Sequence, residues 1–152
     1  MAGLQTIAST NTSTASGAAA TGAGLEVTIN NLLQTIFESG PTANTIMVGG
    51  TKKRQISGFT TNTRNIDSAI KKLVNVVNVY ESDFGEVDII LNRYVAATQL
   101  FAFDISGFRT SYLRKLTRES LGKTGDSTEE AVIGELTLDY DDELMVGKCT
   151  FS

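Results

Sequence analysis

Few residues of this 152-residue chain have the types and spacing that chemistry requires. Gly122-Lys123-Thr124 matches the end of a phosphate-binding loop, but that motif needs a glycine five positions earlier, where Thr117 stands. Oxygen ligands for a hard cation could come from four closely spaced carboxylates, Asp139, Asp141, Asp142 and Glu143. Their spacing differs from that of a calcium loop. Turn residues and a solvated hairpin turn explain both patterns better.

Nucleophilic and acid–base catalysis have equally little support. The chain contains no histidine, so the commonest general base and the commonest metal ligand are missing. Its single cysteine, Cys149, is predicted to be a small hydrophobic residue of the last strand rather than a nucleophile. Glu81 and Glu86 could act as an acid–base pair, but they lie at a predicted turn with no pocket. We predict no enzyme, no metal and no cofactor; a metal enzyme built on carboxylates is a minor alternative.

The charges are unevenly distributed along the sequence. Residues 50–118 contain 11 Lys/Arg against 6 Asp/Glu, whereas residues 119–152 contain 2 against 9. The two zones could help like subunits meet head to tail, or they could simply solvate two faces. The basic residues lack interleaved aromatic residues, so any contact with nucleic acid or another polyanion is expected to be non-specific. No apolar run approaches the roughly 20 residues of a membrane span, and no membrane partner is expected.

The densest apolar stretch, residues 73–104, predicts a β-hairpin with its tip at Asp83–Gly85, because alternating apolar residues flank a polar, glycine-containing turn. The remaining pattern predicts an α+β fold with a mainly antiparallel sheet and flanking short helices. The predicted helices are Leu25–Ser39, Lys52–Phe59 with Thr51 as N-cap, and Ile105–Leu113 capped by Asp104. The other predicted strands are Thr45–Val48, Leu100–Phe103, Ala131–Tyr140 and Met145–Phe151, the last pairing with the strand before it. Residues 114–124 are predicted to be irregular.

The N-terminal residues are predicted to differ from the rest of the chain. Residues 5–24 are of low complexity and have only small or polar side chains after Ile7. Such a segment cannot bury enough apolar surface to order itself. We expect residues 1–24 to be a flexible arm, or an extended segment on a neighbour, and residues 25–152 to be the folded domain.

Three ordered blocks of the sequence resemble a known family. They are FESGPTANTIMVGGTKKRQISGF (residues 37–59), VNVYESDFGEVDIILNRYV (residues 77–95) and FRTSYLRKLTRESLGKTGDSTEEAVIGELTLDY (residues 108–140). They are similar to segments of major capsid proteins of tailed bacteriophages with the Hong Kong 97-type fold. The resemblance implies an axial domain and part of a peripheral domain. Family members are normally near twice this length, so it also implies a C-terminal fragment or a truncated relative.

The resemblance implies a structural role in the virion rather than catalysis. Pentamers and hexamers of such a protein would form the icosahedral shell in the host cytoplasm, together with other capsid or portal proteins. A capsid-derived binding or decoration module that acts as a monomer is the alternative. The expected contacts with neighbouring subunits are the hairpin tip and the basic segments, represented by Arg64, Glu81, Asp83, Phe84, Glu86, Arg109, Arg114 and Lys115.

Overall fold

The computed structural model describes residues 3–58, 65–67, 72–74, 78–122 and 125–152. The described helices are α1 (Leu4–Ile7), α2 (Gly22–Glu38) and α3 (Gly50–Ile56), with 3₁₀ turns at Gly17–Ala20, Ile105–Gly107 and Glu143–Met145. The first described strands are β1 (Asn11–Ala15), β2 (Thr45–Val48), β3 (Asn65–Asp67), β4 (Lys72–Val74) and β5 (Val79–Ser82). They are followed by β6 (Gly85–Leu91), β7 (Gln99–Phe103), β8 (Phe108–Ser120), β9 (Glu130–Tyr140) and β10 (Val146–Phe151).

A six-stranded sheet in the order β1-β10-β7-β2-β6-β5 forms the body of the molecule. Its β1–β10 and β2–β6 pairs are parallel, and its other pairs are antiparallel. Two further antiparallel pairs, β3–β4 and β8–β9, are separate from this sheet. The prediction of an α+β fold with a mainly antiparallel sheet is therefore confirmed.

Helix α2 covers one face of this sheet. Its apolar residues recur every three or four positions and are buried against the strands: Leu25, Ile29, Leu32, Leu33 and Ile36. Gly147 of β10 lies beneath them, where an added Cβ would be 2.7 Å from the Ile36 Cδ1 atom. The missing side chain at Gly147 thus lets the helix approach the sheet closely. The opposite face has a second, smaller cluster, in which Ile7 and Ala8 contact Phe101, Phe103 and Val146.

Most of the predicted elements are present, with shifted ends. The Asp83–Gly85 hairpin tip and strand Thr45–Val48 are confirmed, and the remaining predicted strands lie within one residue of β7, β9 and β10. The hairpin strand expected to begin near Val74 is described from Val79 as β5, while residues 75–77 lie outside the described part. Helix α3 begins at Gly50, and its N-cap is Gly49, without a side-chain cap, rather than Thr51.

Three predictions in the last third of the chain are wrong. The helix expected over Ile105–Leu113 is a 3₁₀ turn of three residues, with Asp104 capping it as expected, followed by strand β8. The segment expected to be irregular from Arg114 continues β8 to Ser120, because it pairs with β9. Strand β10 therefore pairs with β7 and β1, not with the preceding β9.

The expectation that the N-terminal residues cannot order themselves is also wrong. Strand β1 lies parallel to β10, with Ser13 beside Cys149, and α1 packs on the sheet through Ile7. The order comes from backbone hydrogen bonds and polar contacts together with the burial of small apolar areas at Ile7, Ala8 and Ala15. Asn11, for example, is buried and donates through Nδ2 to the Leu144 carbonyl at 2.7 Å.

The Glu143 carboxylate forms hydrogen bonds with the residues between α1 and β1. Its Oε1 accepts hydrogen bonds from the Ser9 hydroxyl, from the Thr10 amide at 2.8 Å and from the Thr10 hydroxyl at 2.6 Å. The side-chain hydrogen bonds from Ser9 and Thr10 lower the pKa of Glu143. Donors that converge on a carboxylate favour its charged form.

Replacing Glu143 should make the stability of the chain less dependent on pH. The pKa of Glu143 is lower in the folded than in the unfolded chain, so its stabilising contribution is present above the unfolded value of about 4.3 and is lost as the pH falls through the folded value. Denaturant unfolding should show the native chain more stable than Glu143→Gln at neutral pH, with a gap that narrows below about pH 4. A gap of equal size at both pH values would contradict this role.

Candidate subunit interface

The β8–β9 hairpin is the part of the described chain that buries least. Its strands of 13 and 11 residues pair from Phe108 opposite Tyr140 to Ser120 opposite Glu130. At about 3.3 Å per residue, the longer strand extends for roughly 40 Å. The register shifts between Tyr112 and Arg114 and again before Thr117, so the ribbon has bulges. Its base packs on the body, where Phe108 and Leu138 contact the second apolar cluster.

Large apolar side chains of this hairpin are left in contact with solvent. Tyr112 and Leu136 are register partners, and they are 52% and 44% exposed. Leu113, Leu116 and Val132 are more exposed still, at 84%, 67% and 72%. A set of this kind on one projecting ribbon is typical of an interaction surface.

The charges of the hairpin are paired across its two strands. Arg109 contacts Asp141 and lies 3.9 Å from Asp139, and Arg114 contacts Glu135. Arg118 donates through Nε to the Glu130 carboxylate at 2.5 Å. The basic and acidic zones of the sequence therefore meet, in part, within one hairpin of the same chain.

The predicted interface residues of the basic segments have different surroundings. Arg109 and Arg114 are engaged in these cross-strand pairs, although their side chains are 60% and 61% exposed. Lys115 is exposed in the bulged part of β8. Arg64 lies outside the described residues. The structure thus places Arg109, Arg114 and Lys115 on one ribbon, and their contact with neighbours stays a prediction.

The β5–β6 tip presents carboxylates and partly buries its aromatic residue. Glu81 and Glu86 are directly opposite each other, and both are exposed, as is Asp83 in the turn. Phe84 packs on the main core, with its ring centroid 5.6 Å from that of Phe37 on α2. Gly85 supplies the positive φ of 125° that the turn requires. Phe84 therefore anchors the tip, and the carboxylates are its exposed part.

The acidic residues near the end of β9 are used by the protein itself. Asp139 and Asp141 face Arg109, Asp142 accepts a hydrogen bond from the Leu144 amide, and Glu143 holds Ser9 and Thr10. Within the described ranges no group of three or more metal-ligating side chains occurs. Lys123 and Thr124 of the phosphate-loop pattern lie outside the described residues.

The buried ionisable groups contribute to the core. Cys149 is buried on β10, and desolvation raises the pKa of its thiol. Lys52 is buried as well; its Nζ donates to the Ala20 carbonyl at 2.7 Å and lies 3.8 Å from the centroid of the Phe151 ring. Desolvation lowers the pKa of Lys52. Among the described residues, no helix is long and apolar enough to cross a membrane.

Sequence reasoning missed the residues that make the hairpin distinctive. Leu113 and Tyr112 were placed in a helix, and Leu116 was placed in an irregular segment. Val132 and Leu136 are correctly predicted to lie in a strand, but the predicted partner is Met145–Phe151, whereas the observed partner is β8. A signal was present in the opposite charges of residues 109–118 and 130–141, which match across an antiparallel pair.

Exchanging one ion pair of the hairpin should reveal coupling between its strands. Arg114→Glu places like charges opposite each other at Glu135, whereas Arg114→Glu combined with Glu135→Arg restores opposite charges. For a pair this exposed, we expect a coupling free energy of about 0.2–1 kcal/mol, measured from amide exchange of β8 and β9 in a double-mutant cycle. Additive effects of the two substitutions would show that the pair contributes nothing to the hairpin.

Solved structures with a similar fold include capsids and a virus-like particle. Over 93% of this chain the capsid of Cyanophage P-SCSP1u matches with a TM-score of 0.56 and 12% identity. The virus-like particle from Pyrococcus furiosus matches over 96% of this chain, with a TM-score of 0.55 and 12% identity. The satellite phage P4 procapsid including size determination (Sid) protein matches over 86% of this chain, with a TM-score of 0.51 and 14% identity. The chain spans 53%, 59% and 39% of those three chains, respectively.

The family comparison agrees with these fold matches. No curated protein matches the chain. The model of the SU10 major capsid protein family matches residues 1–151, which is nearly the whole sequence. The chain therefore belongs to the SU10 major capsid protein family, a family of structural proteins of the virion capsid.

Proposed function

We propose that this chain is a shell-forming capsid subunit that assembles with copies of itself and performs no catalysis. Pentamers and hexamers would form the shell in the host cytoplasm, other capsid or portal proteins would join it, and packaged DNA would be contacted without sequence specificity. The family match and the fold support this role. The chain spans about half the length of the capsid chains it resembles. That this chain assembles alone, without a further segment, is therefore itself part of the proposal.

The observation that carries the proposal is the exposed apolar surface of the β8–β9 hairpin. An isolated two-stranded ribbon is at best marginally stable in water, and this ribbon exposes Leu113, Leu116 and Val132. Its arginines are already paired within the chain, so a partner would bind mainly through apolar contact. A neighbouring subunit would supply the buried environment that the hairpin lacks.

The charged residues predicted from the sequence would have a secondary role at this interface. Glu81, Glu86 and Asp83 form an exposed acidic tip, and Lys115 projects from the bulged part of the hairpin. Like charges at Glu81 and Glu86 oppose each other, and a basic neighbour would relieve that repulsion. We propose that Lys115 and Arg64 contribute to such contacts, and that Arg109 and Arg114 reach neighbours only through the exposed parts of their pairs.

Val132→Ser should impair assembly while leaving the fold intact. Val132 is 72% exposed on the hairpin, and Val27 is 58% exposed on α2, so Val27→Ser is a matched control of the same chemistry. We expect native mass by light scattering and negative-stain imaging to show rings or shells for the native chain and for Val27→Ser, and reduced assembly for Val132→Ser.

If both variants assemble equally well, the hairpin is not part of the interface. A native chain that stays monomeric at high concentration would contradict the shell-forming role itself. If that monomer bound intact shells, the chain would instead be a capsid-derived decoration module.

A further inference from the structure

Both outer edges of the β8–β9 hairpin lack a neighbouring strand within the described ranges, where the hairpin forms a sheet of two strands. A strand edge of this kind exposes a row of backbone N–H and C=O groups that can pair with a further strand. The bulges interrupt β8 in its middle and leave two regular runs. They are Phe108–Tyr112 at the base and Thr117–Ser120 near the tip.

The two edges of the hairpin carry opposite charges. Strand β8 contains Arg109, Arg114, Lys115 and Arg118 against Glu119, whereas β9 contains Glu130, Glu135 and Asp139 and no basic residue. The arginines are paired with carboxylates of their own chain, but their side chains stay largely exposed, 71% in the case of Arg118. Each edge is therefore complementary to the opposite edge of another copy and repels the same edge.

The direction of the strands favours the same combination of edges. When two hairpins lie side by side and point the same way, β8 of one copy runs antiparallel to β9 of the next, because the two strands of one hairpin are antiparallel. This arrangement also keeps the apolar face of Tyr112, Leu136 and Leu138 on one side of the combined sheet. Such a contact is heterologous, and heterologous contacts close into rings when the rotation between copies permits it.

We infer that the hairpins of neighbouring copies pair edge to edge, with β8 of one copy beside β9 of the next, in a continuous antiparallel sheet. The inference rests on the proposed self-assembly and names the part of the subunit that directs it. Apolar contact supplies affinity, and the alternation of basic and acidic edges excludes the wrong orientation of the neighbour. The basic side chains of β8 then lie between two rows of carboxylates, one of the same chain and one of the neighbour.

Exchanging the charges of the two edges tests this pairing without breaking the ion pairs within a chain. The swapped chain has Arg114→Glu, Glu135→Arg, Arg118→Glu and Glu130→Arg, so it keeps opposite charges across its own hairpin and the native net charge. It should assemble with itself, because its acidic β8 meets its basic β9. In a mixture with the native chain, like-charged edges would meet, and we expect mixed neighbours to be about tenfold rarer than random mixing gives.

Native mass spectrometry of assemblies from isotope-labelled native chain and unlabelled swapped chain counts the mixed neighbours. Labelled and unlabelled native chains give the benchmark for random mixing. Random mixing of native and swapped chains would overturn the edge pairing but not the proposed function. Preferential mixing would overturn it as well, because like edges would then be in contact. Absence of assembly by the native chain would instead contradict the proposed function and, with it, the inference.

The fold of the swapped chain is checked separately by amide exchange. If it is folded and does not assemble by itself, while the native chain does, the edge pairing is wrong. If it does not fold, the Arg118→Glu, Glu130→Arg chain repeats the mixing experiment with a single exchanged pair.

The amides of the native hairpin give an independent measurement. In an isolated ribbon, alternate N–H groups of each strand point away from the partner strand and have no backbone acceptor. Edge pairing should slow the exchange of these outward amides in Thr117–Ser120 and in residues 130–133 by at least about tenfold on assembly. If the outward amides stay fast in intact assemblies while the inward ones become protected, the neighbour contacts only the faces of the ribbon, and the inference is wrong.

Discussion

A ribbon of two β-strands has no interior, and this constraint determines how the outer part of the molecule can be stabilised. Each large apolar side chain left in water forgoes about 1.5–3 kcal/mol of burial. The β8–β9 hairpin leaves several such side chains in water, among them Leu113, Leu116 and Val132. Its cross-strand ion pairs align the two strands, but exposed pairs of this kind contribute little stability. We propose that another subunit supplies the surface that the ribbon lacks.

The body of the molecule, in contrast to the hairpin, buries its large apolar side chains within the same chain. Helix α2 closes one face of the six-stranded sheet with a continuous apolar stripe, and its approach is permitted by Gly147. The other face is covered in part by residues 3–15, which are held by Ile7 and Ala8 in the second apolar cluster and by polar contacts such as those of Glu143. A body that buries its own core and a projecting ribbon are arranged as a subunit requires if it must hold its own fold and also join identical neighbours.

Sequence patterns predicted the body well, because each of its elements buries one face. Apolar residues therefore recur with a period of two in its strands and of 3.6 in its helices. Helix α2, β2 and the β5–β6 turn were recognised in this way. Strand β8 was not recognised, because the hairpin is exposed on both faces and two bulges break its alternation. The order of residues 3–15 was not predicted, because hydrogen bonds to Glu143 and from Asn11 leave no trace in hydropathy. The charge zones were noticed, but three of their arginines have partners in the same chain.

Amide hydrogen exchange of the chain before and after assembly tests most directly whether the hairpin depends on its neighbours. If it does, the amides of β8 and β9 exchange much faster than those of β7 and β10 in the unassembled chain. In the assembled state they become nearly as protected as the amides of the six-stranded sheet. Equal protection of the hairpin in both states, or exchange that stays fast in intact shells, would contradict the account.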